Sequence, residues 1–151
     1  MGDCSIPNTP NVFGFQPSPS NFIQPGKRCM SSSTPIIVDN ADHSFLIALG
    51  SAGGSKIITT TVQNLWHMLD RGAGVMEAFR QPRWHDQLMP DVMLFEHSYN
   101  NHTTKEMKKR GHNISWMREG LSAAQGIMRS SSGIFEAAGE PRQKNSGGLV
   151  L

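Results

Sequence analysis

No stretch of the 151 residues approaches the roughly 18 consecutive apolar positions that a membrane-spanning helix needs. The opening Met-Gly-Asp-Cys-Ser-Ile-Pro has neither the basic region nor the apolar core of a secretory signal, so any export signal is expected elsewhere. Cysteine is scarce. Cys4 and Cys29 are too few for a disulfide framework, and two buried free thiols are expected rather than a bridge. Charge of one sign is scarce as well: 14 basic and 12 acidic side chains leave a net charge of +2 and a pI near 8.7, short of the footprint of nucleic-acid binding. No nucleic-acid partner is expected. Strong hydrocarbon is thin too, with 32 Leu, Ile, Val and Phe residues beside 15 Gly and 9 Pro. That is just above the composition of chains that stay disordered, and it points to a thin core, short elements, many turns and a missing partner segment.

What is present falls into an ordered succession. Six prolines between Pro7 and Pro35 fix φ and remove ladder donors, so residues 1–35 read as an extended lead-in that wraps over a surface. Ile36-Ile37-Val38, the turn chemistry of Asp39-Asn40-Ala41-Asp42, and the apolar run from Ser44 to Leu49 predict a hairpin of two mostly buried strands. After Gly50-Ser51-Ala52-Gly53-Gly54-Ser55, the residues Ile58, Val62, Leu65, Trp66 and Leu69 recur at helical spacing, with Ser55 as N-cap and Gly72 as C-cap. A short helix over 75–80, a strand over 91–96, a charged helix over 103–110 ended by Gly111, and strands over 113–116, 123–128 and 134–137 complete residues 36–140, before an irregular tail over 141–151. There is no internal repeat. The fold class expected is a single α/β (α+β) unit with a mainly antiparallel sheet.

The junction from Leu46 to Ser55 sets a buried strand, a glycine-rich turn and a helix start in succession. Such a helix start directs backbone N–H groups outward, a geometry that favours negative charge. A phosphate loop is excluded, because Ser55 stands where the second Walker glycine belongs and Ile57 where Ser or Thr follows the Lys. Two readings remain: an oxyanion hole built from the Gly53 and Gly54 N–H groups, worth roughly 3–4 kcal/mol per donor, or close strand-to-helix packing. The run Ser31-Ser32-Ser33-Thr34 before a strand can donate to a carboxylate without bringing charge, though most serine runs are solvated loops. Asp3 is an ordinary surface carboxylate or the grip on a substrate ammonium.

Other features carry less. His97, His102 and His112 lack metal-ligand spacing and the cysteines form no CxxC, so no zinc site or other cofactor is expected. Lys108-Lys109-Arg110 is a solvated run on a polar helix. His85-Asp86 cannot act as base and orienter from one strand, since adjacent residues point to opposite faces. Ser51 lacks the GxSxG frame, with Leu49 two positions before it.

Several long stretches resemble the small subunit of the gamma-glutamyltransferases, also called glutathione hydrolases, most closely the fungal members. They are Pro17-Ser18-Pro19-Ser20-Asn21-Phe22-Ile23-Gln24-Pro25-Gly26-Lys27-Arg28, Met30-Ser31-Ser32 with Thr34-Pro35, Gly50 to Thr59, and Ala78 to Gln87 with Leu88 and Pro90. The resemblance runs from about Met1 to the C-terminus. It implies an N-terminal nucleophile hydrolase, a four-layer αββα sandwich, incomplete in this chain, made as a precursor that cleaves itself into two subunits. It also implies attack by an N-terminal Thr on the gamma-glutamyl carbonyl of glutathione, and passage of the acyl group to water, an amino acid or a dipeptide. Carried over by motif, Asp3 holds the donor's α-ammonium, Ser31 and Ser32 its α-carboxylate, and Gly53 with Gly54 the oxyanion, Gly54 also touching substrate.

The departures from the family are specific. The Thr segment belongs upstream of the Asp3 motif, so these residues are expected to carry no nucleophile and to be inactive alone, with an Arg and the rest of the fold coming from the large subunit as partner. Gly2, Cys4 and Cys29 stand where the family has an acidic residue or Asn, Phe and Pro. Asn101-His102-Thr103 and Asn113-Ile114-Ser115 match glycosylation sequons, in keeping with the extracellular, cell-surface or vacuolar location that the resemblance implies. The alternatives are a non-catalytic ligand-binding or interaction remnant of the same fold, and a fragment that does not fold without its missing strands.

Overall fold

A computed structural model of the chain describes residues 5–150. Its contacts divide after Ser32 into two compact units. In the first, regular structure amounts to one 3-10 turn, Pro19–Asn21, and the side chain of Asn11 ties a bend by accepting the Phe13 and Phe15 N–H groups, both at 3.0 Å.

The second unit is built on a four-stranded antiparallel sheet ordered β1-β2-β6-β7, from β1 (Ile36–Asp39), β2 (Phe45–Ala52), β6 (Ala123–Arg129) and β7 (Phe135–Ala138). Between β2 and β6 the chain makes α1 (Lys56–Leu69), α2 (Val75–Arg80) and a smaller sheet. There β3 (Trp84–His85) pairs antiparallel with β4 (Met93–Glu96), and β4 pairs parallel with β5 (Ile114–Met117) through the crossover helix α3 (Asn101–Lys109). The expected strands and helices are present within a few residues. The parallel pair and β3 were not expected: two residues are too short to leave a periodic signal, and the parallel pairing follows from the α3 crossover.

One face of the larger sheet carries the core. Ile47, Leu49, Ala124 and Ala138 pack with Met68 of α1 and with Val75, Ala78 and Phe79 of α2. Gly126 permits this, since a Cβ there would stand 3.0 Å from the Phe79 ring and 3.2 Å from the Ala48 carbonyl. The other face is open. Ile37, Ala48, Ile127 and Ala137 form one row across all four strands, beside a shallow hollow of about 500 Å³ that Leu149 also lines. The first strand of the hairpin is therefore an edge strand with Ile37 73% exposed, rather than a mostly buried one.

Helix α1 buries a side other than its most apolar row. Its buried side is Ile57, Thr60, Thr61, Asn64 and Met68, while Ile58, Val62, Trp66 and Leu69 are 42–55% exposed. The helical period was legible, but the more apolar row faces away from the sheet. The side toward β2 takes smaller side chains that also bond, as Thr61 does to Ser51 at 3.2 Å. Gly72, at φ +67°, follows the helix, and the Ala73 N–H returns to the His67 carbonyl at 3.0 Å. No helix among the described residues is long and apolar enough to cross a membrane.

Candidate active site

Strand β2 ends at Ala52 and α1 begins at Lys56, so Gly53, Gly54 and Ser55 must reverse the chain within three residues. The Gly53 carbonyl accepts from the Lys56 N–H at 3.3 Å and the Gly54 carbonyl from Ile57 at 3.2 Å. Ser55 sits in helical backbone (φ −59°, ψ −24°) and its side chain makes no capping bond. The helix thus opens on backbone turns instead of the expected hydroxyl cap.

The two glycines serve different needs. Gly54 has φ +63°, the left-handed region where glycine is favoured, and a Cβ on it would meet nothing within 4 Å. Gly53 is set by proximity: a Cβ there would lie 2.7 Å from Ser122 Oγ and 3.0 Å from Ser122 Cα. Strand packing therefore accounts for Gly53. A Cβ on Gly54 would enter open space, and both glycines are exposed.

Behind this turn lies a buried ion cluster that had no local signal in the sequence. Arg83, 1% exposed, donates through Nη1 to Glu140 at 2.8 Å and to the Ser122 carbonyl at 2.8 Å, and through Nη2 to the Phe79 carbonyl at 3.0 Å. Glu140 also accepts from the Ala124 N–H at 3.0 Å and from Arg142 at 3.0 Å. Arg142 reaches Glu96 at 2.7 Å. Burial pushes the Glu140 carboxyl up, but the Ala124 N–H and the two arginines outweigh it and hold the group below the usual carboxylate range. Burial and the neighbouring Arg142 lower the Arg83 guanidinium, whereas Glu96 and Glu140 overcome the burial of Arg142 and raise it. Arg83 and Glu140 are 57 residues apart, so only the folded chain brings them together. The cluster clamps the start of β6 to the loop before β3 and to the end of β7.

Asp3 lies outside the described residues, as do Gly2 and Cys4. Ser31 is exposed and Ser32 half-buried, both in the first unit, whereas Gly53 and Gly54 belong to the second. The Cys29 thiol is free and exposed, which corrects the expectation that it is buried; its neighbours in an irregular loop offer no core to enter. His85 is buried, with Nδ1 2.8 Å from the Thr59 hydroxyl and Nε2 2.8 Å from Gln87 Oε1, while Asp86 accepts from the Leu88 N–H. These side chains join α1 to the small sheet. Among the described residues no group of three His, Cys, Asp or Glu side chains is arranged to hold a metal ion.

The Gamma-glutamyltranspeptidase family pattern matches residues 1–150. The chain belongs to the gamma-glutamyltranspeptidase family. The glutathione hydrolase proenzyme of Arthroderma benhamiae is 47% identical over 151 residues, covering 100% of this chain and 26% of that protein. The glutathione hydrolase of Aspergillus flavus is 41% identical over 99% of this chain and 26% of its own. The chain thus spans about a quarter of the length of these two relatives. Among solved structures, the Helicobacter pylori gamma-glutamyltranspeptidase T380A mutant superposes with a TM-score of 0.80 at 30% identity, over 92% of this chain and 76% of that one. Its fold is accordingly the mixed α/β arrangement of the N-terminal nucleophile hydrolases, of which these residues form part.

Proposed function

We propose that these residues supply the donor-binding loops and the oxyanion hole of an enzyme that cleaves the gamma-glutamyl bond of glutathione and related gamma-glutamyl compounds. The acyl group passes through a Thr ester, on a threonine outside these 151 residues, to water or to an amino-acid or dipeptide acceptor. In this reading Asp3 binds the donor's α-ammonium and Ser31 and Ser32 its α-carboxylate. Gly53 and Gly54 donate N–H groups to the oxygen that gains charge as the carbonyl becomes tetrahedral, and aligned backbone donors need no reorganisation at that moment. The observation that carries the reading is the Gly53-Gly54 turn: Gly54 adopts φ +63° where an added Cβ would touch nothing within 4 Å, so core packing does not require the glycine.

A large subunit from the same precursor completes the enzyme. Two apolar surfaces support this, namely the row Ile58, Val62, Trp66, Leu69 on α1 and the open face of the larger sheet. Relatives about four times as long have the additional chain to cover them. The location expected of such an enzyme is extracellular, cell-surface or vacuolar, where the exposed Asn101 and Asn113 would be open to glycosylation.

The test is a chimera in which these 151 residues replace the matching segment of the Arthroderma benhamiae proenzyme. Hydrolysis of glutathione by the chimera, with none by the 151-residue chain alone, is the expected result. A chimera that is folded and processed but inert would leave a non-catalytic remnant of the fold.

A further inference from the structure

We propose that Ser122 is the positioning residue that sets the direction of the Gly53 N–H. Its hydroxyl donates to the Ala52 carbonyl at 2.7 Å, and its side chain is buried. That carbonyl and the Gly53 N–H belong to one planar peptide unit and point in opposite directions. Fixing the first fixes the second, so the N–H is directed away from Ser122. Some device of this kind is needed. With no Cβ, Gly53 has little steric preference between orientations of that peptide, and the same missing Cβ lets Ser122 approach closely enough to bond. Ser122 is itself held, because its carbonyl accepts from the buried Arg83 at 2.8 Å and Arg83 pairs with Glu140, which also takes the Ala124 N–H. A line of contacts therefore runs from the buried ion cluster through Ser122 to the peptide before Gly53.

This rests on Gly53 acting in the oxyanion hole. A donor that matters most to the tetrahedral oxygen affects the turnover step more than substrate binding. Ser122→Ala in the chimera should lower kcat about tenfold, the upper range for one lost neutral hydrogen bond, while KM changes little. Ser122→Thr, which keeps the hydroxyl, should restore most of kcat. Unchanged kcat in a folded Ser122→Ala chimera overturns the role of Ser122 and leaves the functional reading intact. So does an equal rise in KM, which would mark a merely structural effect. A second measurement needs no activity: in the 151-residue chain labelled with 15N-glycine, the residual dipolar coupling of the Gly53 N–H should change in Ser122→Ala and return in Ser122→Thr. An unchanged coupling overturns the proposal even if activity falls. A changed coupling together with an inert unaltered chimera removes the functional reading and, with it, the catalytic meaning of the contact.

Discussion

Two regions of this chain depart from the usual distribution of polarity, one inside and one outside. Buried together are two arginines and two glutamates, with Arg83, Glu96 and Glu140 almost wholly out of water. Turned outward are Ile58, Val62, Trp66 and Leu69 on α1 and Ile37 on the open sheet face. A buried charge is tolerable only when paired and hydrogen-bonded; all four are ion-paired, although the Nε atoms of Arg83 and Arg142 have no hydrogen-bond partner among the described residues. An exposed apolar row is ordinary when scattered and informative when continuous. The inner cluster ties together elements far apart in the sequence, whereas the apolar row on α1 stays exposed.

The sharpest way to break this contrast is to remove one charge from the cluster. Arg83→Met leaves Glu140 without its main partner in the interior and should destabilise the chain by about 3–5 kcal/mol, read as a fall in the denaturant midpoint. A loss under about 1 kcal/mol would show that the pair contributes only what surface pairs do.

Acid sharpens the same point with a smaller effect. Because the folded chain holds the Glu140 carboxyl below its ordinary range, folding is favoured by its ionised form. That contribution is complete at neutral pH and is lost as pH falls through the ordinary carboxylate value toward the group's own lower one. Thermal melts across this range should show a steeper loss for the natural sequence than for Glu140→Gln; parallel curves would contradict it.

The outer face gives the smallest effect on the chain itself. Val62→Asp should change the stability of the 151-residue chain by no more than about 0.5 kcal/mol, as exposed substitutions do, yet sharply lower the yield of assembled chimera. Equal effects in both settings would show that α1 is not covered by the large subunit.

Much of this was legible in the sequence because its signals are local. Ile36-Ile37-Val38 and the Asp39 to Asp42 turn announce the hairpin, and Gly111 ends α3 at φ +96°, whereas the Asn100 side chain that caps α3 by accepting the His102 and Thr103 N–H groups was not anticipated. The Gly53-Gly54 turn was legible for the same reason. What escaped depends on distance or on choice between faces. Both rows of α1 fit a helical period, and the period alone does not say which of them meets the sheet. The Arg83 to Glu140 pair and the Ser122 to Ala52 bond join positions 57 and 70 residues apart. Nothing around Ser122, in a stretch of glycine, serine and alanine, marks it out.

The most direct test of the account is a crystal structure of the chimera carrying a covalent gamma-glutamyl adduct. The account predicts the adduct's former carbonyl oxygen at about 2.7–3.1 Å from the Gly53 and Gly54 nitrogens, with the amino-acid head group against Asp3, Ser31 and Ser32. An adduct whose oxygen is held by other donors, with the Gly53-Gly54 turn away from it, would contradict the account.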